Sequence, residues 1–236
     1  MKARVLGLLI VSVACGYAGV IASADGTASP GTQGWTDRGG ILSGASVSDL
    51  GESSWQMTGD SCCGYWFHNL TAQEWTDAFA RGWSFSGLIR STSTQGFGYL
   101  VLDTNSPLPR FDLTFGFDGV NGWAGLSAFT DAANPARKTT FSNSVYHLID
   151  MRYDATTQTA SLWVDGALAL SGYSGHTTSR EGHGPFFGVS GSGPELFSQV
   201  TFAVNDAPVG APEPATFGVA AASLGVIWAA IRRLRP

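Results

Sequence analysis

Between Trp35 and Asn205 the chain alternates short apolar runs with clusters of Gly, Asn, Asp and Pro. The runs predict strands near Trp55–Met57, Tyr65–Leu70, Trp83–Arg90, Phe97–Asp103, Phe111–Phe117, Trp123–Phe129, Tyr146–Tyr153, Ala160–Val164, Leu168–Tyr173, Phe186–Val189 and Phe197–Val204. A spacing of about 10–15 residues between such runs belongs to antiparallel sandwiches and jelly rolls. "TASLWVDGALALSGY" gives the sharpest local signal. Ala160, Leu162 and Val164 fall on one strand face, and Ser161 and Trp163 on the other. Asp165-Gly166 then supplies two positive-φ positions for a tight turn. Trp83, Phe85 and Gly87 share a face that reads as core, whereas Trp163 is left open between core and solvent. Glu74 to Ala80 predicts no more than one helical turn.

Both ends break this pattern. Lys2 and Arg4 precede an apolar stretch from Val5 to Val13, and Ala22-Ser23-Ala24 is a small-x-small cleavage site. That order reads as a secretory signal over 1–24, with the mature chain starting at Asp25. A lipoprotein reading, with Ser12-Val13-Ala14 before Cys15, stands as the alternative. Residues 25–34 read as a flexible lead-in, 35–206 as the sandwich and 207–211 as a linker. From Ala215 to Ile231 the chain carries 17 uncharged residues, with Thr216 and Ser223 its polar members. As a helix this run spans about 25 Å, the low end for crossing a bilayer. Arg232, Arg233 and Arg235 follow directly and, by the positive-inside rule, stay cytoplasmic while the body lies outside.

Composition agrees with an exported β domain. The 236 residues are 44% hydrophobic and 13% charged, with 31 Gly and 8 Trp, which excludes a disordered chain. Without its two ends the body holds 8 basic and 17 acidic residues, about −9. Such a body lacks the clustered Lys and Arg that nucleic-acid binding needs. Outside the leader the cysteines are Cys62 and Cys63. Adjacent Cα atoms sit about 3.8 Å apart, too close for an unstrained disulfide, so free thiols, a vicinal disulfide and an intermolecular link all stay open. No disulfide framework exists, and a hydrophobic core must hold the fold.

Candidate chemistry is thin. Glycoside hydrolysis needs two carboxylates about 5–10 Å apart across one linkage. Glu74 and Asp77 have odd spacing. Asp150 and Asp154 share a strand face, but Asp154 opens a turn that Asp favours for local bonding. "GVSGS" at Gly188–Ser192 lacks the final glycine of a nucleophile elbow. "GFGYLV" at Gly96–Val101 lacks the third glycine of a dinucleotide loop. His176, Arg180, Glu181 and His183 cluster in one polar segment that reads as a solvated loop, without known metal-ligand spacing. No catalytic residue and no cofactor is assigned.

Two resemblances add to this. "YHLIDMRYDATTQTASLWVDGALALSGY" and "FFGVSGSGPELFSQVTFAV" resemble segments of concanavalin-like lectin/glucanase and laminin-G-like sandwiches. The likeness covers Trp35 to Asn205 and implies two packed antiparallel sheets in an all-β jelly roll. That fold hosts lectins, glycosidases and adhesive modules alike. Calcium, which laminin-G-like relatives often carry, maps onto no positions here. Pro212-Glu213-Pro214, the apolar helix and the arginine end are similar to the PEP-CTERM sorting signal of Gram-negative bacteria. It implies an exosortase partner, cleavage near the triplet, transient anchoring in the inner membrane and delivery to the cell surface or an exopolysaccharide matrix. The expectation is a non-catalytic surface protein, with a polysaccharide-binding lectin-like module as the alternative and a glycoside hydrolase behind it.

Overall fold

The computed structural model describes residues 19–39, 41–59, 64–105, 107–127, 137–177 and 182–205. The leader up to residue 18, Cys62 and Cys63, Arg180 and Glu181, and the tail from residue 206 with Pro212, Glu213, Pro214, Arg232, Arg233 and Arg235 lie outside the described residues. The strands are β1 (Gly19–Asp25), β2 (Thr36–Asp37), β3 (Ile41–Asp49), β4 (Glu52–Gly59), β5 (Gly64–Phe67), β6 (Trp83–Ser91), β7 (Gly96–Asp103) and β8 (Phe111–Phe117). They continue with β9 (Asn121–Ser127), β10 (Arg137–Ser142), β11 (His147–Asp154), β12 (Thr159–Val164), β13 (Ala167–Tyr173), β14 (Gly184–Gly191) and β15 (Glu195–Val204). Among the described residues one α-helix, α1 (Ala72–Arg81), joins β5 to β6.

These strands form two antiparallel sheets packed as a sandwich. The seven-stranded sheet runs β10-β9-β8-β7-β14-β5-β2. The eight-stranded sheet runs β13-β12-β11-β6-β15-β4-β3, with β1 also paired to β15. One edge of β15 is therefore shared end to end. Glu195–Phe197 pair with β4, and Gln199–Val204 pair with β1. The register slips between Phe197 and Gln199, so the bulge at Ser198 marks the changeover. The Gly26 amide donates to the Ser198 carbonyl there, at 2.8 Å.

Period-two patterning explains the layers. Trp83, Phe85 and Ile89 of β6 point inward, as do Leu100 and Leu102 of β7 and Phe111, Leu113 and Phe115 of β8. Aromatic rings fill the layer between the sheets: Trp83 stacks on Tyr153 of its own sheet at 5.6 Å, and across the sheets Trp83 meets Phe111 edge-on at 5.4 Å and Phe197 lies 5.6 Å from Phe115. Such pairs add about 0.5–1.5 kcal/mol each beyond the area they bury. The hairpin turn between β12 and β13 forms as its residues require, with Asp165 at φ 51° and Gly166 at φ 79°.

Four strands differ from the sequence expectation. β2, β3 and β10 are polar or Gly/Ser-rich, so their apolar period is faint. β1 occupies residues that read as the end of a leader; Ala22 and Ala24 are buried in the core there. The segment at Glu74 forms ten helical residues rather than one turn. Thr71 caps it, its hydroxyl accepting from the Glu74 amide while the Glu74 carboxylate accepts from the Thr71 amide at 2.7 Å.

One buried acid stands out. Glu195 is fully buried at the start of β15; Ser91 Oγ donates to its Oε1 at 3.0 Å, and Oε2 has no partner among the described residues. Desolvation holds its carboxyl well above the ordinary value of 4.5, the Ser91 bond opposing weakly. A pKa raised on folding stabilises the protein below the unfolded value, and that stability is lost as pH rises toward the folded one. Glu195→Gln is therefore expected to raise the urea midpoint at pH 7 and to flatten its decline above pH 4.5. An unchanged decline would mean that Glu195 does not set it.

Candidate functional site

The seven-stranded sheet has an outer face that is not part of the main core, and its side chains form rows across the strands. In one row Phe67 of β5 pairs with Phe186 of β14, Phe186 with Val101 of β7, Val101 with Asp112 of β8, and Asp112 with Ser127 of β9. In the next, Tyr65 pairs with Gly188, Gly188 with Tyr99, Tyr99 with Thr114, and Thr114 with Gly125. Each row passes from aromatic to polar. Gly188 is needed between its two tyrosines, because a Cβ there would sit 2.2 Å from the Gly64 carbonyl oxygen and 2.6 Å from Tyr65 Cβ.

The polar end is a buried ionic network. Arg110 Nε donates to Asp112 Oδ1 at 2.7 Å, and its Nη1 lies 3.6 Å from Asp103 Oδ1. His176 Nε2 lies 3.0 Å from Asp112 Oδ2, and the His183 amide donates to Asp103 Oδ2 at 3.2 Å. Asp103 and Asp112 are each 1% exposed and Arg110 5%. Both carboxylates thus close on one guanidinium, which also lies 5.3 Å over the Phe186 ring. The segment after β13 holds the network from above. Arg110 and His176 exchange backbone hydrogen bonds at 2.8 and 2.9 Å. The Tyr173 hydroxyl donates to the Ser127 carbonyl at 2.6 Å, and its pKa is pushed up by burial and then by the charge of Asp112.

Two hydroxyls in these rows are left over. Thr114 Oγ1 and Ser127 Oγ are buried and find no hydrogen-bond partner among the described residues. A buried polar group without a partner costs about 1–3 kcal/mol, so each is an invitation to a bound hydroxyl or water.

The candidates read from sequence fall elsewhere, with one exception. Glu74 serves the helix cap, and Asp77 pairs with Arg81 at 3.1 Å. Asp150 lies on the outer face of the eight-stranded sheet, where Arg152 Nε meets its Oδ2 at 2.5 Å and Arg152 covers the Trp163 ring at 4.7 Å. Burial raises the pKa of Asp150, and Arg152 opposes the rise. Asp154 accepts from the Thr156 amide at 2.8 Å, the local bond expected of a turn aspartate. Trp163 therefore faces away from the second sheet. The exception is the segment expected to be a solvated loop: His176 is packed on Asp112 because that carboxylate, buried on a strand, needs a second donor. Asp103, Arg110 and Asp112 are not among the sequence candidates, because they sit on strand faces that reach solvent by the alternation rule. The available signal is "RFDLTFGF", which puts an arginine, an aspartate and a threonine on one face of a strong strand. Among the described residues no group of three His, Cys, Asp or Glu side chains is arranged to hold a metal ion.

No protein-family model matches the chain, and no curated protein matches it in sequence. Solved structures do match. A conserved carbohydrate esterase from the Shiga toxin-encoding bacteriophage phi24B is similar over 80% of this chain and 100% of its own, at 13% identity and a TM-score of 0.61. A Bacillus subtilis protein of unknown function with a galectin-like fold aligns over 79% of this chain and 96% of its own, at 11% identity and a TM-score of 0.49. The carbohydrate-binding module CBM66 from Bacillus subtilis aligns over 72% and 95%, at 10% identity and a TM-score of 0.42. At these identities the likeness is one of fold, a two-sheet antiparallel sandwich.

Arg110 is the keystone of the network. Arg110→Met leaves two buried carboxylates without their shared cation, and the expected loss is about 3 kcal/mol in urea unfolding. A change within about 0.5 kcal/mol would show that the carboxylates do not depend on it.

Proposed function

We propose that the chain is an exported, non-catalytic surface protein whose sandwich binds carbohydrate on the outer face of the seven-stranded sheet. The observation that supports this reading is the half-buried rings of Tyr65 and Phe97 on that face, beside rows that run from aromatic to polar side chains. Sugars present apolar C–H faces beside hydroxyls, and ligand sites match such molecules with rings and a few fixed polar groups. The half-buried Tyr65 and Phe97 are the accessible rings of this face. A hydrolytic role is disfavoured, because the Arg110 guanidinium fills the space between Asp103 and Asp112 that a scissile linkage would need.

Export and address rest on the two ends. The leader, the Pro212-Glu213-Pro214 triplet, the apolar run from Ala215 to Ile231 and the arginines Arg232, Arg233 and Arg235 together support delivery through the inner membrane. Exosortase cleavage near the triplet then releases the body to the cell surface or extracellular matrix. Proline fixes φ and disfavours helix in the residue before it, so a triplet of this composition suits a protease cleft.

Two measurements test these halves separately. On a glycan array the purified exported chain is expected to bind at or below millimolar sugar, and Tyr65→Ala to weaken the best ligand about tenfold. No binding at millimolar sugar sinks the carbohydrate reading. In the native host, an epitope-tagged chain with Pro212 and Pro214 changed to Ala is expected to stay in the membrane fraction with its tail. Maturation and localisation like wild type would remove the sorting role.

A further inference from the structure

We infer that the export leader is cut between Ala18 and Gly19, so that the mature protein keeps β1; this rests on the export reading above. The sequence offers several small-x-small sites in this region; Gly16-Tyr17-Ala18, with alanine at its final position, precedes β1, whereas Ala22-Ser23-Ala24 lies within it. Signal peptidases need small side chains at both flanking positions, and both sites provide them. Leaders of 18 and 24 residues both fall within the usual range of about 15–30. Sequence alone does not separate the two, but the fold does.

β1 is built into the sandwich from Gly19 onward. Its residues pair with β15 from Gly19 opposite Val204 to Asp25 opposite Gln199. Ala22 and Ala24 are 6% and 5% exposed and belong to the same core cluster as Val200, Phe202 and Val204. Ala22 sits opposite Phe202 and Ala24 opposite Val200. The strand also serves a buried side chain beyond its own sheet. Trp35, 3% exposed, donates its indole N–H to the Ser23 carbonyl at 3.0 Å while its ring meets Phe187 at 4.9 Å.

Cutting after Ala24 removes all of this at once. The outer edge of β15 from Gln199 to Val204 loses its partner strand, and exposed strand edges of that length invite pairing with other chains. Two core residues vanish, and the Trp35 indole loses its acceptor. Cutting after Ala18 removes none of it. Every described residue of β1 then stays in the mature chain, and the apolar run from Val5 to Val13 stays wholly in the leader. Ala22 and Ala24 are small for a folding reason: they lie in the core beneath the edge of β15.

The test is an intact-mass and N-terminal peptide measurement on the full chain, expressed with its own leader in a Gram-negative host and recovered from the exported fraction. The expected N-terminus is Gly19. A chain six residues shorter, beginning at Asp25, overturns the inference while leaving export intact, and so does a lipid-modified N-terminus at Cys15. A retained Met1 on all of the protein defeats the export reading itself. Ala18→Phe provides the second arm. It is expected to leave uncut precursor in the membrane fraction, whereas normal maturation of this variant places the cut elsewhere.

Discussion

The sandwich depends on how β15 is sheltered. It runs along β6 on one side for its full length, and on the other side two strands from the first quarter of the chain divide its edge at the Ser198 bulge. Neither β1 nor β4 covers that edge alone. The bulge makes the division possible, because Ser198 turns its carbonyl to the Gly26 amide and its hydroxyl to Glu52 Oε2 at 3.2 Å. The inward side chains of β15, from Phe197 to Val204, then meet the aromatic rings of the opposite sheet in a dry layer. With β15 fixed, β6 and β11 stack beside it, and Trp83 and Tyr153 anchor the far end of the core.

The second constraint is electrostatic and lies on the other sheet. Asp103 and Asp112 are placed by β7 and β8 where water does not reach, and burying two carboxylates is costly unless a cation is held between them. Arg110 lies just before β8 and two residues before Asp112, so one chain segment supplies both charge and countercharge. His176 then draws the chain after β13 down onto the face. The buried ionic network and the aromatic rows are therefore one arrangement. The network pins the covering segment over the polar end of the rows, and the half-buried Tyr65 and Phe97 lie toward their aromatic end.

Much of this is legible in the sequence, and the gaps have physical causes. Strands whose two faces differ sharply, such as β6 and β12, are readable because alternation is a period-two signal. β3 and β10 escape it because edge strands face solvent on more than one side and keep little apolar pattern. β1 reads as leader because small apolar residues suit both a signal-peptide end and a strand packed beneath a crowded core; Ala22 and Ala24 satisfy both demands. α1 outruns its expected single turn because it buries little more than Ala78, and its start is set by the Thr71–Glu74 cap rather than by a long apolar stripe. The charged site is invisible for another reason. Asp112 and Thr114 alternate correctly with Phe111, Leu113 and Phe115, so the pattern places them in solvent, and only the chain folding over the sheet reveals that they are buried.

The order of strands in space also sets when this protein can fold. β14 lies between β7 and β5, and β15 between β6 and the β4–β1 pair, so the last two strands to leave the ribosome occupy the interior of the two sheets. Until β14 has emerged the seven-stranded sheet is two separate groups of strands, and until β15 has emerged the eight-stranded sheet is three, β1 among them. Contacts as distant in sequence as Gly19 with Val204 must close last and slowly, since long loops carry the largest closure entropy. A chain with this topology stays threadable for as long as its final strands are withheld. That is the state that the proposed export through a translocation pore would require.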